Sequence, residues 1–120
     1  MANIKENEKL GIIIKALDSK KAEDIQLISI GDLTIVADYF VIANGTSNTH
    51  TKSLAEEVEF KMSQQGIEPL RTEGYPGATW IVLDYGDIVV HVFYKETRDH
   101  YNLERLWSDG KFLDVNEYID

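Results

Sequence analysis

The chain has 120 residues, 43% of them hydrophobic, with 12 basic against 21 acidic side chains and a net charge of −9. This is enough apolar material for one packed domain over residues 1–120, with too little Lys and Arg for a protein held on nucleic acid mainly through phosphates, so DNA is not an expected partner. With no cysteine, disulfides, thiolate metal sites and cysteine nucleophiles are excluded.

Residues 1–9 are charged and lack the apolar core of a signal peptide. No apolar run approaches the ~20 residues that span a bilayer. The expectation is a cytoplasmic protein with no membrane partner. A first helix is predicted from near Asn3 to about Ser19, because Leu10, Ile13, Ile14 and Leu17 recur at three- and four-residue spacing. Gly11 inside it costs about 1 kcal/mol of helix propensity against Ala, and a close backbone approach would be one reason to keep it.

Ile25–Ile30 reads as a short strand and Asp38–Ala43 as a second, rich in aromatic and branched residues. Gly45-Thr46-Ser47-Asn48 then opens a helix, capped by Thr46 or Ser47, that runs to about Gln65 on a stripe of Leu54, Ala55, Val58 and Met62. Gly66 is its stop. Residues 67–72 are expected to form a short edge strand, since Pro69 cannot donate to a ladder. Residues 73–77 form a turn-rich loop. A hairpin is predicted over 78–93 and a helix over 97–107, anchored by Tyr101, Leu103, Leu106 and Trp107. The tail from Lys111 shows no clear element. The fold class is therefore α/β, a mixed sheet of about five strands flanked by helices.

The hairpin carries most of the functional information. With Tyr85-Gly86 as a two-residue turn, Asp84 faces Asp87, Val82 faces Val89 and Trp80 faces His91. One face is then Ile81, Leu83, Ile88, Val90 and Val92. The other is Trp80, Val82, Val89, His91 and Phe93, rimmed by Asp84 and Asp87. The aliphatic face suits a core beneath helices. The aromatic face has the composition of a docking surface, with aromatic anchors, a polar handle and charges at the margin. The alternative is ordinary core covered by Leu103, Leu106 and Trp107, and the two readings are compatible in part.

Candidate chemistry is sparse. His50, His91 and His100 show no metal-binding spacing. Ser47, Ser53 and Ser63 lie in no nucleophile-elbow pattern. The Gly45-Thr46-Ser47 turn lacks the Lys-Ser/Thr ending of a phosphate-binding loop. Asp84 and Asp87 beside that turn would suit a small Mg²⁺-dependent nucleotide-binding or nucleotidyl-transfer enzyme, the alternative from a different class. Arg71, Lys95, Arg98 and Arg105 either form a basic zone for minor RNA contact or pair with Glu73, Glu96, Asp99 and Glu104.

The runs Ala37-Asp38-Tyr39-Phe40-Val41-Ile42-Ala43, Gly45-Thr46-Ser47 with His50, Glu73-Gly74, Gly77 with Trp80, Asp84 through Phe93, Glu96, Arg98, and Tyr101 through Trp107 with Asp109 stand in one order and spacing. In that arrangement the chain closely resembles the ribosomal silencing factor family (RsfS, Iojap-like) from its first helix to about Gly110. The resemblance implies a nucleotidyltransferase-like core without its catalytic site, no enzymatic activity and no cofactor or metal. It implies binding to the large ribosomal subunit through its fourteenth protein. The bound domain would hinder joining to the small subunit and repress translation under nutrient limitation. Some members of the family are homodimers when free and bind the ribosome as single copies, so the resemblance also allows a free homodimer here. Carried onto this chain, the expected partner-binding residues are Trp80, Val82, Asp84, His91 and Phe93, with Lys95, Arg98, Tyr101 and Asn102 near the margin.

Overall fold

The computed structural model describes residues 5–119. Helix α1 spans Glu6–Ser19, so its expected start at Asn3 lies outside the described residues. Strands β1 (Glu23–Ser29) and β2 (Tyr39–Gly45) follow, then α2 (Asn48–Ser63) and the short β3 (Arg71–Glu73). The hairpin is β4 (Trp80–Asp84) and β5 (Ile88–Tyr94). Helices α3 (Lys95–Tyr101) and α4 (Leu103–Leu106), strand β6 (Lys111–Leu113) and a 3-10 turn over Val115–Glu117 complete the chain.

The strands form one six-stranded sheet in the order β3-β4-β5-β2-β1-β6. The central β2–β5 pair is parallel and the other pairs are antiparallel. The sixth strand corrects the expectation of about five. Lys111–Leu113 pairs with Ser29–Leu27, so the tail does contain elements. Three residues are too few for a periodic signal, and only the β1 edge gives them a partner. The strand expected over 67–72 contracts to Arg71–Glu73, beyond Pro69. The helix expected over 97–107 begins two residues earlier and breaks at Asn102, which sits in the left-handed region at φ 48°.

One sheet face packs under α1 and α2. Leu10, Ile13, Ile14 and Leu17 from α1 and Leu54, Ala55, Val58 and Met62 from α2 meet Leu27, Val41, Ala43, Ile81, Leu83, Ile88, Val90 and Val92. The helical stripe and the aliphatic strand face thus find one another, which is what drives this layer together. Ser47 caps α2 by accepting a hydrogen bond from the His50 amide at 3.0 Å. His50 then ties the two helices' ends: its Nδ1 accepts from the Thr46 amide at 3.0 Å and its Nε2 lies 2.8 Å from the Lys20 carbonyl.

The hairpin register differs from the expected one. Trp80 pairs with Phe93, Val82 with His91 and Asp84 with Val89. The Tyr85 amide donates to the Ile88 carbonyl at 2.9 Å, which centres the turn on Gly86-Asp87. Gly86 has φ +90°, a left-handed conformation that suits glycine and that Tyr85 is spared by this placement. The Asp84 carboxylate fixes the turn by accepting from the Gly86 amide at 2.8 Å.

Candidate functional site

The second sheet face is built from alternate residues of four strands. Ile28, Phe40, Ile42, Val89 and Phe93 form its floor with Ile30 and Ala37, and Leu103 closes over it. Trp107 packs edge-on against Phe40 at 5.3 Å. The C-terminal helices therefore cover the part of this face over β5, β2 and β1. Strand β4 is different. Its inward residues Ile81 and Leu83 are buried, while Trp80, Val82 and Asp84 alternate with them and stay half-buried. The aromatic face is partly core and partly open, and the opening follows β4.

Trp80 is held in place without being covered. Its indole Nε1 donates to His91 Nδ1 at 3.1 Å. Its ring stacks on Phe93 at 5.0 Å and meets Tyr101 at 4.8 Å. His91 is itself buried, with Phe40 edge-on at 4.6 Å. Burial pushes its imidazole down to about 4, a shift that the nearby Asp84 carboxylate partly opposes. The ring is therefore neutral at physiological pH. Because Nδ1 accepts from Trp80, the proton belongs on Nε2, which is buried without a hydrogen-bond partner.

The expected site residues divide by exposure. Trp80, Val82 and Asp84 are half-buried, Lys95 and Asn102 are exposed, and Tyr101 is 53% exposed. Phe93, His91 and Arg98 correct the expectation of a surface role, being 0%, 7% and 4% exposed. Phe93 is the floor beneath Trp80. Arg98 is an internal strut: it donates to Asn44 Oδ1 at 2.9 Å and, through Nε and Nη2, to Glu104 Oε2 at 3.1 and 2.9 Å. A further contact joins it to Asp24 at 3.5 Å. This network pins α3 and α4 to the sheet. Asn44 was not singled out from sequence, since a buried Asn in an apolar strand shows only as an interruption of the pattern. Asn102 caps α4, its side chain accepting from the Arg105 amide at 3.3 Å.

The Asp84–Asp87 rim does not exist as expected. The shifted register places Asp87 in the turn, where it pairs with Lys9 of α1 at 3.2 Å. Asp84 pairs with Arg71 of β3 at 3.4 Å. Each carboxylate has its own cation instead of repelling the other. The Gly45-Thr46-Ser47 turn is similarly occupied, as the amides of Thr46, His50 and Thr51 bond to His50 Nδ1, Ser47 Oγ and the Ser47 carbonyl. Among the described residues, no group of three or more His, Cys, Asp or Glu side chains could hold a metal ion. The parts of the nucleotide alternative are thus separated and already engaged. Of the four cations for which pairing with nearby acidic residues is the alternative to a basic zone, Arg71 pairs with Glu73 at 3.6 Å and Arg98 with Glu104 at 2.9 Å, while Lys95 and Arg105 form no ion pair among the described residues.

The chain is thus a mixed α/β protein with one helix-covered sheet face and one partly open aromatic face. Residues 3–120 match the family model described as "Ribosomal silencing factor during starvation", RsfS. The chain is 39% identical over 112 residues to the ribosomal silencing factor RsfS of Halalkalibacterium halodurans, covering 93% of this chain and 96% of that protein. It is 40% identical over 107 residues to that of Bacillus subtilis, covering 89% and 91%. A solved structure from Chromobacterium violaceum superposes with a TM-score of 0.85 at 33% identity and covers 88% of each chain. The chain belongs to the ribosomal silencing factor family, RsfS/Iojap-like, whose members are regulators and not enzymes.

Proposed function

We propose that this chain represses translation under nutrient limitation by binding the large ribosomal subunit through its fourteenth protein and sterically blocking the small subunit. The observation that carries the reading is Trp80, a large aromatic side chain fixed by His91 and Phe93 yet left half open beside exposed Tyr101. Rigid, partly desolvated aromatics are the residues that anchor protein interfaces. Val82 lies on the same strand face, and Leu106, 73% exposed, belongs to the adjoining helix. In this reading residues 1–120 act as one domain, and its nucleotidyltransferase-like core serves as a scaffold without a cofactor.

A net charge of −9 complements a basic ribosomal protein and speeds encounter, while discouraging loose attachment to RNA. Lys95 and Arg105, which have no ion pair among the described residues, supply the minor ribosomal RNA contact. The same open strip is covered in a free homodimer, so self-association and subunit binding compete. The site of action is the cytoplasm; among the described residues, no helix is long and apolar enough to cross a membrane.

Sedimentation with isolated large and small subunits tests the proposal. The protein should travel with the large subunit alone and reduce the yield of joined ribosomes. Trp80→Ala should weaken binding by about 2 kcal/mol or more. No sedimentation with the large subunit at physiological salt would reject the reading.

A further inference from the structure

Trp80 also lines a cleft of about 520 Å³ with Tyr94, Glu96, His100 and Tyr101. Thr79 and Thr97 complete the lining, so three of its seven residues are Trp or Tyr, and two of their rings, Trp80 and Tyr101, are in contact at 4.8 Å. His100 meets Tyr101 edge-on at 5.1 Å. Glu96 is exposed in the first turn of α3, and its carboxylate has no hydrogen bond or ion pair among the described residues. The neighbouring cations do not neutralise it. Arg98 is committed to Glu104, Asn44 and Asp24, Lys95 makes no ion pair among the described residues, and Arg105 lines an adjoining cleft that shares His100 and Tyr101 with this one.

An unpaired carboxylate beside aromatic faces is a selective arrangement. Ring faces attract cations, and a planar guanidinium can stack on a ring while its edge donates to a carboxylate. A purely apolar group would desolvate Glu96 without compensation. A phosphate would be repelled by Glu96 and by the acidic chain as a whole. We propose that this cleft seats an arginine side chain of the protein on which the face docks, stacked on the aromatic wall and paired with Glu96. The inference rests on the docking reading and names the chemistry its partner presents.

The test is equilibrium binding of the wild type, Glu96→Gln, Glu96→Lys and Glu57→Gln to isolated large ribosomal subunits, at low and at physiological salt. Glu57 lies on α2 and controls for the loss of one negative charge. Glu96→Gln should weaken binding about tenfold and flatten its salt dependence, since a partly desolvated charge pair is lost. Glu96→Lys should weaken it further, and Glu57→Gln should match the wild type. Equal binding by Glu96→Gln and Glu57→Gln would overturn the arginine site while leaving the docking reading intact. Tighter binding by Glu96→Lys would overturn it in favour of an anion. Failure of the wild type to bind the subunit would overturn both.

Discussion

The indole of Trp80 donates to the imidazole of His91 along a diagonal of the β4–β5 pair, since His91 lies directly opposite Val82 and Phe93 lies opposite Trp80. The diagonal matters because it uses the one polar atom of the indole internally. Trp80 then presents ring surface, and no unsatisfied donor, to whatever meets the face. It also requires His91 to be neutral, for an imidazolium would set N–H against N–H.

That requirement predicts a pH dependence of stability. His91 takes up a proton near pH 6.5 in the unfolded chain and near 4 in the folded one. Between those values the unfolded chain binds more protons, so stability rises with pH from about 4 to 6.5 and the His91 contribution is flat above. The loss on acidification reaches about 3 kcal/mol. His91→Gln keeps an acceptor for Trp80 and removes the titration. Urea unfolding across this range should show a shallower slope for the variant, and identical slopes would exclude His91 as the titrating group.

Glu6 predicts an opposing effect. Its carboxyl is raised to about 7 from an ordinary 4.5, first by burial, then by a hydrogen bond with Asp38 and by the charges of Asp38 and Asp87. A raised carboxyl means that the folded chain binds the extra proton, so this contribution is lost as pH climbs through the range 4.5 to 7. Glu6→Gln should therefore raise the melting temperature above pH 7 relative to the wild type, and the gain should vanish near pH 4. Partial exposure keeps the effect small. A variant less stable than the wild type at pH 8 would contradict the assignment.

Arg98 predicts a large, localised loss. Arg98→Met leaves the buried Asn44 and the Glu104 carboxylate without their donor, and breaking such a pair costs about 3–5 kcal/mol. Arg98→Lys should rescue little, because one ammonium cannot reproduce the forked bonds to Glu104 and Asn44. Hydrogen exchange should locate the damage, with α3 and α4 losing protection before α1 and α2. Uniform loss across the sheet would show that Arg98 does not act as the pin between these helices and the sheet.

The faces of the hairpin were legible in the sequence even though its register was not. The turn sits on Gly86-Asp87 rather than Tyr85-Gly86, which shifts every pair by two residues. Side chains alternate with a period of two, so an even shift leaves each residue on its expected face, where a shift of one would have inverted them all. Trp80, Val82, His91 and Phe93 therefore share a face as expected. Their burial was not legible, because it depends on how far α3 and α4 reach across the sheet. That reach is set by the Arg98 network, whose members Asp24, Asn44 and Glu104 are distant from one another in sequence. Tyr94 and Glu96 escaped notice as cleft residues for the same reason, since the cleft forms only where α3 turns back beside Trp80.

Two glycines predict opposite outcomes on replacement by alanine. Gly11 lies within α1, and a Cβ there would meet only Tyr118 at 3.9 Å, an ordinary contact. Among the described residues no backbone approaches closely enough to justify this glycine, so Gly11→Ala should stabilise the chain by up to about 1 kcal/mol through helix propensity. Gly74 has φ +87°, and a Cβ there would fall 1.9 Å from the Trp80 carbonyl oxygen. Gly74→Ala must displace the start of β4, the strand that carries Trp80. It should lower stability, and it should also weaken large-subunit binding in the fraction that remains folded. Thermal unfolding of the two variants side by side checks both signs. A destabilised Gly11→Ala would mean that α1 packs more tightly at that position than its 3.9 Å clearance allows.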